Sequence, residues 1–80
     1  MPYITQEVRD ILDNFLPSAE LTEGELNYFI TKMLLQQNPQ SYADYNALIG
    51  VLESCKLEFY RRAVAAYEDE KSTVNGDVYS

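Results

Sequence analysis

From Tyr42 to about Glu70 the chain has no proline and a single glycine, Gly50, so nothing there stops a helix once it has started. At about 1.5 Å per residue that helix would be about 40 Å long, longer than either of the two that precede it. A helix that outreaches the neighbours in its own chain needs other cover, and a second copy of the protein is the simplest. On a wheel of about 100° per residue, Tyr45, Leu48, Leu52, Cys55, Phe59, Ala63 and Ala66 share one face. Ile49, Leu57, Tyr60, Val64 and Tyr67 widen that face to more than half the circumference. A helix packed on one layer needs a narrower stripe. The width predicts burial on two sides, by the first two helices and by another subunit, and Ala63, Ala65 and Ala66 permit close helix approach.

The size of the chain points the same way. Eighty residues lie near the limit at which a monomer closes its own core. The chain has one cysteine, Cys55, and no histidine or tryptophan, so neither a disulfide staple nor a zinc site supplies the difference. Oligomerisation remains. The expected fold is all-α, one small domain of three helices with a long third, assembled as a homodimer or homotetramer. No apolar run is long enough to span a membrane, and Met1-Pro2-Tyr3 does not begin a signal peptide. These features predict a soluble, cytoplasmic protein with no membrane partner, in which Cys55 is a reduced core residue.

The two shorter helices carry their own start and stop signals. After an extended arm at 1–4, where Pro2 opposes helix, Thr5 caps a first turn containing Gln6 and Glu7. Val8, Ile11, Leu12, Phe15 and Leu16 then form one apolar face, and Pro17 ends the helix at Leu16. Thr22-Glu23-Gly24-Glu25 fits a capping box, with Leu21 and Leu26 at the hydrophobic-staple positions. Leu26, Phe29, Ile30, Met33 and Leu34 make the buried stripe of this second helix, which Asn38-Pro39 stops. Ser41 caps the third helix, with Asp44 as a shorter stand-in for the usual glutamate. In the tail at 71–80, Asn75-Gly76 suits a tight turn or a minimal hairpin that returns Val78 and Tyr79, against the alternative of a frayed end.

Charge and composition narrow the chemistry. The net charge of −7 argues against duplex nucleic acid, whose binding rests on neutralising many phosphates. The acid sits at the ends, however. Residues 1–25 hold six acids against Arg9, whereas 26–62 have Lys32, Lys56, Arg61 and Arg62 against Asp44, Glu53 and Glu58. A small anion could therefore meet a locally positive middle. Without histidine, and with its one cysteine expected in the core, the chain has no evident nucleophilic machinery. Glu68-Asp69-Glu70 reads as solvent-facing charge at a helix end. No carboxylate spacing resembles a calcium loop, and Gly24 alone makes no phosphate loop. The expectation is a protein without catalytic residues, metal or cofactor.

Lys56-Leu57-Glu58-Phe59-Tyr60-Arg61-Arg62 gathers half of the chain's six positive charges beside aromatic rings. Guanidinium pairs with phosphate, and both guanidinium and phenol stack on planar rings, so a planar anion suits this segment. Lys56 projects within the apolar arc near Ile49, Tyr60 and Tyr67. Its plainer role is to snorkel beside Glu53 at an interface edge. Arg61 and Arg62 diverge by about 100° on the helix, so one chain cannot aim both into one pocket, although two copies could bring one arginine each. Their plainer roles are surface ion pairs, Arg61 with Glu58 or Arg62 with Glu58 or Asp69. The seven tyrosines suit interfaces and base-stacking sites equally.

Met1-Pro2-Tyr3-Ile4, Gly24-Glu25-Leu26-Asn27-Tyr28, Ile49-Gly50-Val51-Leu52-Glu53, Lys56 to Arg62, Tyr67-Glu68-Asp69 and Asn75-Gly76-Asp77-Val78-Tyr79 together resemble a family of small phage and bacterial proteins of unknown function. Ala66 departs from that pattern, which has proline before the tyrosine, and the change lets the third helix run on. The family carries no activity of its own. By analogy, small helical phage oligomers include the anti-CBASS sponges, which hold a cyclic nucleotide between subunits and perform no chemistry. The likeness implies a non-enzymatic protein that sequesters a cyclic di- or trinucleotide to counter host immune signalling. Lys56, Tyr60, Arg61 and Arg62 would bind, with Tyr3 and Tyr79 as lids. The alternative is a structural or adaptor module that docks a host or phage protein on an exposed apolar helix face.

Overall fold

The computed structural model describes residues 2–79; Met1 of the arm and Ser80 of the tail lie outside the described residues. The protein is all-α. Helix α1 spans Gln6–Asp13 and α2 spans Glu23–Gln36. A third, long helical run consists of α3 (Tyr42–Phe59), one π-helical turn (Tyr60–Val64) and α4 (Ala65–Asn75). The chain divides into two units, residues 2–48 and 49–80.

In the first unit the local signals act as side-chain caps. Thr5 accepts a hydrogen bond from the Val8 amide at 3.5 Å, and Arg9 Nε donates to the Ile4 carbonyl at 3.0 Å, tying the arm to the first turn. The capping box of α2 is complete: the Glu25 amide donates to Thr22 Oγ1 at 3.2 Å, and the Thr22 amide donates to Glu25 Oε1 at 2.8 Å. Those bonds hold the Glu25 carboxyl below its ordinary pKa, the backbone bond contributing most. Asn38 ends α2 with a positive φ of 55°, a conformation asparagine tolerates, and Pro39 follows. The Asp44 amide donates to Ser41 Oγ at 3.2 Å, while the shorter Asp44 carboxylate accepts from the Gln40 amide at 2.9 Å instead of from the cap's own.

Several expectations are corrected. Helix α1 ends at Asp13, not at Leu16. The amides of Asn14, Phe15 and Leu16 bond to carbonyls only three residues back, tightening the chain into turns before Pro17. The third run extends to Asn75, beyond Glu70. Asn75-Gly76 forms no hairpin: Asn75 is the last helical residue, and Gly76 closes the helix with φ 93° and an amide bond to the Ser72 carbonyl at 2.9 Å.

No described residue is buried. Phe29, Ile30 and Leu34 are half-covered, but Leu26 and Met33 of the expected buried stripe are exposed. Helices α1 and α2 make no extensive contact with each other. Cys55 is exposed rather than a core residue, because no core closes over the helix that carries it. Leu12 and Phe15 of the α1 face are 50% and 72% exposed.

Candidate functional site: the π turn and its basic and aromatic side chains

The π turn falls on Tyr60-Arg61-Arg62-Ala63-Val64, in the middle of the basic and aromatic segment. Its defining bond runs from the Ala65 amide back five residues to the Tyr60 carbonyl. Such a turn inserts one residue into the helix, so everything after it occupies the place of the residue before, a rotation of about 100°. Val64 consequently lies about 20° from Leu52 instead of about 120°, and both are half-covered, whereas Ala63 and Ala66 are exposed. The expected placing of Ala63 and Ala66 with Leu52 and Phe59 is therefore corrected. In their stead Val64, Tyr67 and Val74 join Leu52 and Phe59 within an arc of about 80°.

Tyr60 and Glu68 show the same shift. Eight residues apart, they would diverge by about 80° on a straight α-helix but by about 20° with one residue inserted. The Tyr60 hydroxyl donates to Glu68 Oε1 at 2.8 Å across the turn. That hydrogen bond, with the repulsion between the carboxylate and a phenolate, raises the Tyr60 pKa above its ordinary value and keeps the phenol protonated.

The basic side chains are placed as follows. Lys56 Nζ stands 3.3 Å from Glu53 Oε1, and Arg61 Nη2 donates to Glu58 Oε1 at 2.9 Å. Both lie on neighbouring helical turns, and the two cations are largely exposed. Arg62 forms no ion pair among the described residues. Lys71 lies over the Tyr67 ring, 5.6 Å from its centre. The π turn thus brings Tyr60, Arg61 and Arg62 onto one distorted segment with Lys56 one turn before it. Within one chain, local acids already meet Lys56 and Arg61.

Tyr79 sits farther along, where the tail folds beside α4. Tyr67, Glu68, Asp69, Lys71, Asp77 and Tyr79 line an open groove of about 420 Å³. The Tyr79 amide donates to Asp77 Oδ1 at 2.8 Å. Three carboxylates against one lysine make this groove acidic, which suits an anion poorly. Tyr3 is half-exposed and belongs to the unit of residues 2–48. The described residues contain no group of three or more metal-capable acids, histidines or cysteines.

Composition gave no sign of the π turn. Its trace was in the spacing: Leu52, Phe59, Tyr67 and Val74 follow one another at intervals of 7, 8 and 7 residues. The odd interval contains the turn. The apparent breadth of the apolar arc on a plain wheel is in part this slip of phase.

Against known proteins, the chain matches a domain of unknown function (DUF6899) over residues 1–78. No curated protein and no solved structure matches it.

Proposed function

We propose, for a chain that belongs to the DUF6899 family of unknown function, that it is a non-enzymatic structural or adaptor module that docks a protein partner on an exposed apolar helix face. The observation that carries this reading is α1. Val8, Ile11 and Leu12 stand at i, i+3 and i+4 on its one apolar face, all more than 40% exposed, with Phe15 and Leu16 continuing the apolar surface into the turn. Glu7 borders it on one side and Arg9 on the other, while Asp10 and Asp13 lie on the opposite side of the helix. An exposed apolar face on an amphipathic helix, flanked by one charge of each sign, suits the amphipathic surface of a partner protein. It suits an anionic lipid surface poorly.

A second reading is the sequestering of a cyclic di- or trinucleotide between subunits, as a phage-encoded anti-defence sponge would do in its host's cytoplasm. Arg62, unpaired among the described residues and carried on a π turn, favours it, because such turns recur at functional sites. Lys56, Tyr60 and Arg61 would contribute after exchanging their present acidic partners for phosphate. Tyr79, in its acidic groove, supports this reading least.

One comparison separates the two. Purified full-length protein is melted with and without a panel of cyclic di- and trinucleotides, and is used as bait beside a Leu12→Asp variant. A protein captured by the wild type and lost with Leu12→Asp, with no nucleotide raising the melting temperature, is the expected result. A nucleotide that raises the melting temperature, with identical capture by both baits, would replace the first reading by the second.

A further inference from the structure

The bonding pattern of the π turn at Tyr60–Val64 is rare in helices. A helix that adopts it gains something there that an unbroken α-helix does not supply. The side-chain contacts around the turn differ in this respect. Arg61 and Glu58 are three residues apart, ahead of the inserted residue, and Lys71 and Tyr67 lie wholly beyond it. Both pairs form with or without the turn. The hydrogen bond from the Tyr60 hydroxyl to Glu68 Oε1, at 2.8 Å, joins one side of the turn to the other. It needs its two residues about 20° apart, as the turn places them, whereas an unbroken helix would hold them about 80° apart. Bond and turn are therefore linked, and whatever favours one favours the other.

The turn also decides which charge accompanies the apolar residues. With it, Lys71 lies in line with Leu52, and Glu70 stands about 100° to one side. Without it, Glu70 would take that line and Lys71 would move about 100° away. Val64 would swing from about 20° to about 120° from Leu52. One residue of phase thus exchanges a cation for an anion on the side that carries Leu52 and Phe59. We propose that the Tyr60–Glu68 hydrogen bond is a latch on this phase. Closed, it holds the π turn and presents Lys71 on one face with Leu52, Phe59 and Val64. Open, the segment reverts to unbroken α-helix and presents Glu70 there instead. No described residue is buried, so the latch opens without disrupting a packed core.

The Ala65 amide reports the phase. It bonds the Tyr60 carbonyl in the π turn and would bond the Arg61 carbonyl in an α-helix. Scalar couplings across that hydrogen bond, measured by nuclear magnetic resonance on the full-length chain, identify the acceptor. Tyr60→Phe keeps the ring and removes the hydroxyl. It is expected to lower the ratio of π to α phase by about tenfold, moving the coupling to Arg61. Glu68→Ala, a substitution that favours helix, is expected to do the same, and combining the two to add nothing. Glu68→Gln keeps an acceptor oxygen and is expected to keep the coupling to Tyr60. An unchanged coupling to Tyr60 in both Tyr60→Phe and Glu68→Ala would overturn the proposal. A double variant whose shift is the product of the two single ones would overturn it as well.

Discussion

In residues 2–48 helix starts are set by side chains: Thr5 for α1, the reciprocal Thr22–Glu25 pair for α2, and Ser41 for α3. In residues 49–79 no side chain caps anything, and the helix runs through a π turn until Gly76 adopts a positive φ. The first unit is organised by local bonds at helix ends. The second is organised by the phase of its apolar residues along a single helix, and the π turn preserves that phase. Local bonds decide where helices begin. Phase decides which faces can be covered together, and it matters only if something covers them.

The largest expected effect comes from breaking that phase. Inserting one alanine after Ala63 adds a residue that the π turn does not absorb and should rotate everything after it by about 100°. Val64 then leaves the side of Leu52 and Phe59, and Glu70 enters it. Far-ultraviolet circular dichroism should remain strongly helical while sedimentation shows self-association lost. Retained association would show that this face does not hold copies together.

An intermediate effect is expected at the caps of the other unit. Thr22→Ala removes one hydrogen bond of a reciprocal pair and should cost about 1 kcal/mol by urea denaturation. Ser41→Ala should cost no more, because the Asp44 bond to the Gln40 amide survives it. A larger loss from Ser41→Ala would break the contrast between the two ends.

The smallest effects concern pH, and they too divide between the units. The Glu25 carboxyl has a lowered pKa in the folded chain, so its contribution is present above the unfolded value and fades as pH falls through the folded one. The raised Tyr60 pKa works in the opposite direction. Its contribution is present below the ordinary phenol value and is lost as pH rises through the folded value. Titration by nuclear magnetic resonance should show chemical shifts near Thr22 moving on the acid side and shifts near Glu68 moving on the alkaline side. Glu25→Gln should abolish the first set and Tyr60→Phe the second.

The three-helix plan was legible in the sequence because it rests on short-range chemistry. Thr22 and Glu25 are three residues apart, and Pro17 and Pro39 obstruct helix wherever they stand. The end of α1 was less legible, since Phe15 and Leu16 continue the apolar spacing although the chain has already tightened into turns. The exposure of Cys55 was misjudged because a wheel reports which residues share a face, not whether anything lies against it. The π turn was missed because a wheel of constant angle assumes an unbroken helix. Of the candidate site, the pairings of Lys56 with Glu53 and Arg61 with Glu58 follow from residues three apart on one helix. The acidic surroundings of Tyr79 depend on how the tail folds beside α4, which no spacing specifies.

The exposed apolar residues of both units lead us to expect that association completes the fold. The most direct test is to melt the full-length protein over a hundredfold range of concentration while sedimentation equilibrium gives the mass at each. If association completes the fold, the melting temperature rises with concentration and the mass is a multiple of 9.2 kDa wherever the helices are stable. A stable monomer whose melting temperature does not change with concentration would contradict it.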